Sequence, residues 1–294
     1  GSDLLASGLY QVEDRPFALS EWSQCPPNPW KAEAAPLIAF YGMGLQGWDV
    51  AHHFLNSRRR IGDGWPNLSK YVTDTPHYIG QFPALFFALH HGHITEAPLA
   101  SARRLTVADL FSGKDVLQQD LTGGSHDYKQ AQGTLATPEA VLAIGKVTTG
   151  FTGGISTNID WSRYWDPAAK RVRSMTGELE WDYDKGCVLV KTPKTQAIVG
   201  RTAAQPVALP SVDVTLTTPF AVLIFTPLDN QPLAASTQIL ITAMARDKQA
   251  GAEFNADWSQ LKLLGAPPLM VEPVQARIKV RGATPQRINV LDIY

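Results

Sequence analysis

Glu21 is the residue best placed in this sequence for covalent chemistry. It closes an apolar run, Arg15–Trp22 (RPFALSEW), and a proline-rich loop follows, Ser23–Trp30 (SQCPPNPW). Where a strand ends, a carboxylate beside an indole suits a sugar site. Aromatic faces pack on pyranose rings, and a desolvated carboxylate can attack an anomeric carbon. The alternative is a surface Glu at a strand end, ion-paired with Lys31 or Arg15. Trp22, Trp30, Trp48 and Trp65 cluster nearby, as sugar platforms or as core rings. Asn28 either hydrogen-bonds a hydroxyl or makes an Asx turn before Pro29. Asp49 either contacts sugar or bonds into its own loop.

Such residues need elements to hold them. Arg15–Trp22 reads as a buried parallel strand. From Lys31 to Gln46, residues Ala34, Leu37, Ile38, Tyr41 and Leu45 recur at three and four, a helical stripe. Pro36 marks its first turn or kinks it. Gly47–Phe54 reads as a second buried strand. Asp74-Thr75-Pro76 is a helix start, with an acceptor at the cap and proline in the first turn. That helix is expected to reach His90, to bend at Pro83, and to pack through Ile79, Phe82, Leu85, Phe86 and Leu89 against the barrel side. The order strand, helix, strand, helix implies parallel strands and an α/β unit.

Beyond Pro98 the pattern changes. A short helix is expected near Thr137-Pro138-Glu139. Glu178–Tyr183 and Cys187–Thr192 flank Asp184-Lys185-Gly186, a hairpin loop with Gly where positive φ is needed. Val212–Leu216, Phe220–Phe225, Gln238–Ala245, Pro268–Glu272, Ala276–Val280 and Ile288–Ile293 complete a series of short strands. Their spacing predicts an antiparallel sandwich. The expected division is therefore 1–97 for the α/β part and 98–294 for the β-sandwich.

The segments PFALSEW, PNPWKAE and YGMGLQGWD together resemble the last two strands of clan A retaining glycoside hydrolases, in particular β-galactosidase-like and agarase-like enzymes that carry a sandwich after the barrel. The resemblance covers Arg15–Phe54 well and the sandwich loosely. It implies the end of a (β/α)8 barrel, with Glu21 as nucleophile and Trp48 lining the sugar subsite. Trp22, Asn28, Trp30 and Asp49 join them as substrate-binding candidates. It also implies an oligo- or polysaccharide substrate, no cofactor and no metal. Polymeric glycans are met outside the cytoplasm, so a secreted or periplasmic protein is expected. A full barrel needs eight strand–helix units, and two precede the sandwich here. The acid/base Glu is therefore expected upstream, on an N-terminal barrel segment or a partner chain. The alternative is a non-catalytic carbohydrate-binding or assembly module.

Composition narrows the field. The net charge is −1 and charged residues make up 18%, so no global field recruits nucleic acid or an anionic membrane. No apolar run reaches the ~20 residues that span a bilayer. Cys25 and Cys187 match no zinc spacing and read as free thiols. His52 and His53 are adjacent on a strand and face opposite sides. His90, His91 and His93 end a helix, where a cation suits the dipole. Thr149–Ser156 (TGFTGGIS) lacks the lysine of a phosphate loop, and no G-x-S-x-G elbow surrounds Ser20. Trp161, Tyr164, Trp165 and Trp181 form either a sugar-binding patch or core anchors.

Overall fold

The computed structural model of the protein describes residues 2–24, 28–54, 79–112, 117–118, 130–131, 137–282 and 285–291. They are mostly sheet, with few and short helices. The chain divides into two compact units. The first is Gly1–Ser20, Leu37–His52 and Ile94–Asp184; the second is Glu21–Pro36, His53–His93 and Lys185–Tyr294. Each unit thus draws on segments from both sides of residue 97.

β1 (Ala18–Trp22) and β2 (Val50–His53) form a two-stranded sheet. The Phe17 carbonyl accepts from the Asp49 and Val50 amides, and the Trp22 carbonyl accepts from Phe54. Partners advance together, so the strands run the same way. The connection between them is helical, as the stripe predicts, but not one α-helix. A 3-10 turn (Lys31–Glu33) leads into α1 (Ala34–Leu37) and then a π-helix (Ile38–Leu45). The wider winding closes with the Gln46 amide donating to the Tyr41 carbonyl. Pro36 sits in the first turns, where its missing donor is not needed. Glycine makes this stretch possible. A Cβ on Gly42 would stand 2.5 Å from the Trp48 ring, and one on Gly44 2.7 Å from Ile94.

In the first unit, β3 (Leu99–Arg104) is central to a small mixed sheet. After a short antiparallel pair, β4 (Leu117–Gln118) with β5 (Gln130–Ala131), β6 (Lys146–Gly150) lies parallel to β3 and β7 (Thr157–Asn158) antiparallel to it. β8 (Trp165–Asp166), β9 (Arg171–Arg173) and β10 (Leu179–Asp182) follow as an antiparallel series. The short helix expected near Pro138 is a 3-10 turn, Glu139–Ala143. Gln46, fully buried, ties this turn down. Its Nε2 donates to the Leu142 and Gly145 carbonyls at 2.7 and 2.6 Å, and its Oε1 accepts from the Val147 amide at 3.0 Å.

The second unit contains antiparallel sheets whose arrangement is compatible with the expected sandwich. β11 (Cys187–Lys191), β12 (Gln196–Gly200), β15 (Ala221–Pro227) and β16 (Ile239–Met244) pair antiparallel. β13 (Pro206–Ala208), β14 (Val212–Leu216) and β21 (Ala276–Val280) form the facing antiparallel sheet. Alternate residues of both enter one core, among them Ile198, Val212, Val214, Leu216, Leu223 and Phe225. This is how a sandwich buries one face of each sheet. Two further pairs are β17 (Asp247–Ala250) with β20 (Ala266–Val271), and β18 (Glu253–Phe254) with β19 (Leu261–Leu263). No strand forms over the described part of Ile288–Ile293.

The helix α2 spans Phe82–His90 and lies against β15 and β16. Pro83 falls in its first turn and bends nothing. Its buried residues are Ala84, Leu85 and Ala88, whereas Phe86 is 59% exposed. The expected packing stripe is therefore corrected: two alanines allow close approach to the sheet, and Phe86 points away. The proposed start at Asp74, and Trp65 and Cys25, lie outside the described residues.

Candidate functional site

Glu21 is the penultimate residue of β1 and is exposed. Ser20 beside it is exposed too, while Leu19 and Trp22 are buried, so the strict alternation of a strand breaks at this point. Glu21 makes no ion pair among the described residues. Lys31, one expected alternative partner, is committed to Asp247 instead. Trp22 is buried, with its ring 4.5 Å from that of His53, and His53 in turn meets Phe82 at 6.0 Å. Trp22 therefore anchors the strand end under Glu21.

The loop after β1 is fixed by its own contacts. Asn28 accepts from the Trp30 amide at 2.9 Å, an Asx turn, and donates to Gln24 at 2.6 Å. Trp30 is half-buried, with Phe220 at its edge and the Arg201 guanidinium 4.1 Å from its centroid. Arg246 bridges onward, 5.6 Å from Trp30 and 4.0 Å from Trp258. Phe254 stacks on Trp258 at 4.8 Å and 12°. Phe254, Trp258, Arg246, Trp30 and Arg201 thus form a ladder of rings and cations. Arg246 is also held at both ends of its fork by Glu272, at 2.7 Å each. Trp258 sits at φ +62°, unusual for a bulky residue. Its amide donates to the Asn255 carbonyl, which closes the turn that holds it. Trp30 is one rung of this ladder.

Trp48 and Asp49 belong to the first unit, while Glu21, Trp22, Asn28 and Trp30 belong to the second. Trp48 is only 3% exposed. Its ring meets Phe17 at 5.0 Å and fills the spaces left by Gly8 and Gly42. The expected subsite platform is corrected accordingly: glycine on the π-helix lets the indole sink into the core, where sugar cannot reach it. Asp49 is exposed and accepts from the Phe17 amide at 2.9 Å, which pins the start of β1 to β2.

An aromatic-lined cavity lies elsewhere in the first unit. A cavity of about 230 Å³ is lined by Leu5, Leu142, Glu139, Trp165, Trp181 and Tyr183, with three alanines between them. The strand register explains the grouping. Trp165 pairs with Val172 and Val172 with Trp181, so the three share one row across β8, β9 and β10. Tyr183 lies two residues beyond Trp181 and carries the same face onward. The Trp165 indole donates to the Tyr183 hydroxyl at 3.2 Å, and the Trp181 and Tyr183 rings meet at 5.5 Å. Trp165 and Trp181 are thus brought together as the sequence suggests. Trp161 and Tyr164 do not line this cavity. Tyr183 was missed, although the alternation Leu179, Trp181, Tyr183 was available to find it.

The histidines cluster at the end of α2, His90 edge-on to His91 and His91 stacked on His93. His93 is buried, and its ring nitrogens meet Thr195 at 2.8 Å and Asn230 at 3.0 Å. Burial holds its pKa below the ordinary histidine value. Among the described residues, no group of three or more His, Cys, Asp or Glu is disposed to hold a metal ion. No helix there is long and apolar enough to cross a membrane. Comparison with known proteins finds no matching family model, no matching curated protein and no matching solved structure.

Proposed function

We propose that this chain is a retaining glycoside hydrolase, or the C-terminal portion of one, acting on a β-linked oligo- or polysaccharide. The observation that carries the reading is the placement of Glu21. It is an exposed carboxylate at the C-terminal end of a strand that pairs in parallel with β2 across a helical connection. In parallel barrels, catalytic groups stand at that end of the strands. The β1–helix–β2 arrangement then corresponds to the end of a barrel.

In this reading a Glu21 oxygen attacks the anomeric carbon as the bond to the leaving oxygen breaks. A second carboxylic acid, about 5–5.5 Å away, protonates that oxygen and later takes a proton from the incoming water. The second group comes from an N-terminal barrel segment or a partner chain. The buried Trp22 and its contact with His53 hold the strand end that presents Glu21. The substrate class places the protein outside the cytoplasm.

The test is covalent trapping. Native protein carrying this chain is incubated with 2,4-dinitrophenyl 2-deoxy-2-fluoro-β-glycosides of the gluco, galacto and manno series. Dinitrophenolate departs and the fluorosugar stays on the nucleophile. Peptide mass spectrometry should find the sugar on Glu21. A sugar on another carboxylate would overturn the assignment.

A non-catalytic carbohydrate-binding module is the second reading, and the aromatic cavity of the first unit favours it. Under that reading Glu21→Gln leaves every measured property unchanged.

A further inference from the structure

We propose that the cavity formed by Trp165, Trp181, Tyr183 and Glu139 binds a single pyranose ring, a role additional to the Glu21 chemistry. The choice of sugar among ring-shaped ligands rests on the glycoside reading above. The existence of a built ligand site does not.

An aromatic residue on a solvent-facing strand is ordinary, but three on one face around a concavity are not. Trp165, Val172 and Trp181 share one row, and Val172, between the two indoles, is fully buried. The row is therefore seated on core and cannot sink further. Leu5 and Leu142, both buried, close the floor. Leu142 is itself fixed, because Gln46 bonds its carbonyl. The cavity is thus held open by packed neighbours on every described side. All three aromatic rings remain half-buried, so a ligand can reach them from solvent.

Chemistry then selects the ligand. The floor and walls are apolar, which suits the C–H face of a sugar ring. Among its lining residues, Tyr183 and Glu139 carry polar oxygens. Tyr183 accepts from Trp165, which leaves its own proton to donate. A carboxylate accepts well from sugar hydroxyls, because a charged acceptor strengthens the bond. A pyranose with one face inward and its hydroxyls toward the mouth satisfies both sets. A ligand with hydroxyls on all sides would bury polar groups without partners, at a cost.

Size limits the ligand further. Pockets for drug-sized ligands measure roughly 300–1,000 Å³, and this cavity, about 230 Å³, is smaller. One ring fits; a run of linked sugars does not. The site therefore takes a chain end or a single-sugar branch, and would hold the protein to the ends of a glycan. A compact organic cation is the competing ligand, since aromatic faces also attract ammonium groups.

The experiment titrates the full chain with methyl β-glycosides of glucose, galactose and mannose, and separately with choline chloride. The indole N–H signals of Trp165 and Trp181 are followed by NMR. At least one glycoside should shift both signals saturably, with a Kd of about 1–10 mM. Trp181→Ala should weaken that binding at least tenfold. Tyr183→Phe keeps the ring and should weaken it several-fold while leaving the fold intact, so it serves if Trp181→Ala does not fold. Glu21→Gln should leave it unchanged, which separates this site from the nucleophile: trapping can fail while the cavity binds, and the reverse. No saturable shift with any glycoside, or a shift with choline alone, overturns the proposal.

Discussion

Trp165 and Trp181 stand in one cross-strand row with Val172 between them, and Val172 has no exposure at all. The two indoles therefore share a support. Val172→Ala removes two methyl groups from between them. Truncations of this kind cost about 1–3 kcal/mol, and the loss should appear as a lower urea midpoint. Both indole N–H signals should move together in NMR. Movement of one alone would mean that the row is not a unit.

Gln46 offers a sharper stability test. One buried amide serves three backbone groups, at Leu142, Gly145 and Val147. Gln46→Met fills similar volume but leaves all three without that partner. Each buried polar group left unsatisfied costs about 1–3 kcal/mol. Destabilisation of about 3 kcal/mol or more is expected by urea unfolding. A change within 0.5 kcal/mol, the usual size of a surface effect, would contradict the network.

The Lys31–Asp247 pair is buried to 2% and 0% side-chain exposure. Burial holds Lys31 below the ordinary lysine range, and Asp247 partly offsets this. Lys31→Met strands a carboxylate in the interior and should cost about 3–5 kcal/mol. The double variant Lys31→Met/Asp247→Leu should recover most of that loss, because neither charge then remains. A double variant less stable than either single one would show that the pair contributes net stability.

Asp229 predicts part of the acid response. Burial pulls its pKa up, but hydrogen bonds from Thr237, Ser236 and Gln231 outweigh this and bring it down to about 2. The unfolded value is about 3.9. The folded pKa is depressed, so its contribution is fully present above the unfolded value. It is lost as the pH falls from about 4 toward 2. Stability of Asp229→Asn should fall less steeply across that window. Identical slopes for the two proteins would count against the hydrogen-bonded carboxylate.

Strands with a period of two were legible in the sequence. Val212–Leu216 and Ala276–Val280 fold as read, because alternate residues enter one core. Helical detail was less legible. Nearly all of Ile38–Leu45 is buried, so its residues carry no one-sided stripe to fix the winding. The π-turn answers to Gly42 and Trp48, a contact between positions that propensity does not connect. Phe86 was misread for a related reason: small Ala84 and Ala88 decide which side of α2 approaches the sheet. Phe86→Asp should accordingly change stability by no more than about 0.5 kcal/mol. The tryptophans near Glu21 were visible as a cluster, but sequence alone does not separate an open ring from a buried one. Trp48 went to the core, and Trp30 to a ladder with Arg201 and Arg246.

Glu21 carries the central claim, and one measurement reaches it most directly. Native protein and its Glu21→Gln variant are treated with the dinitrophenyl fluoroglycosides, and dinitrophenolate release is followed in the first turnover. The native protein should release one equivalent per site and carry the sugar on Glu21, while the variant releases none above background. Equal release from both proteins, or a sugar found on any other residue, would contradict the account.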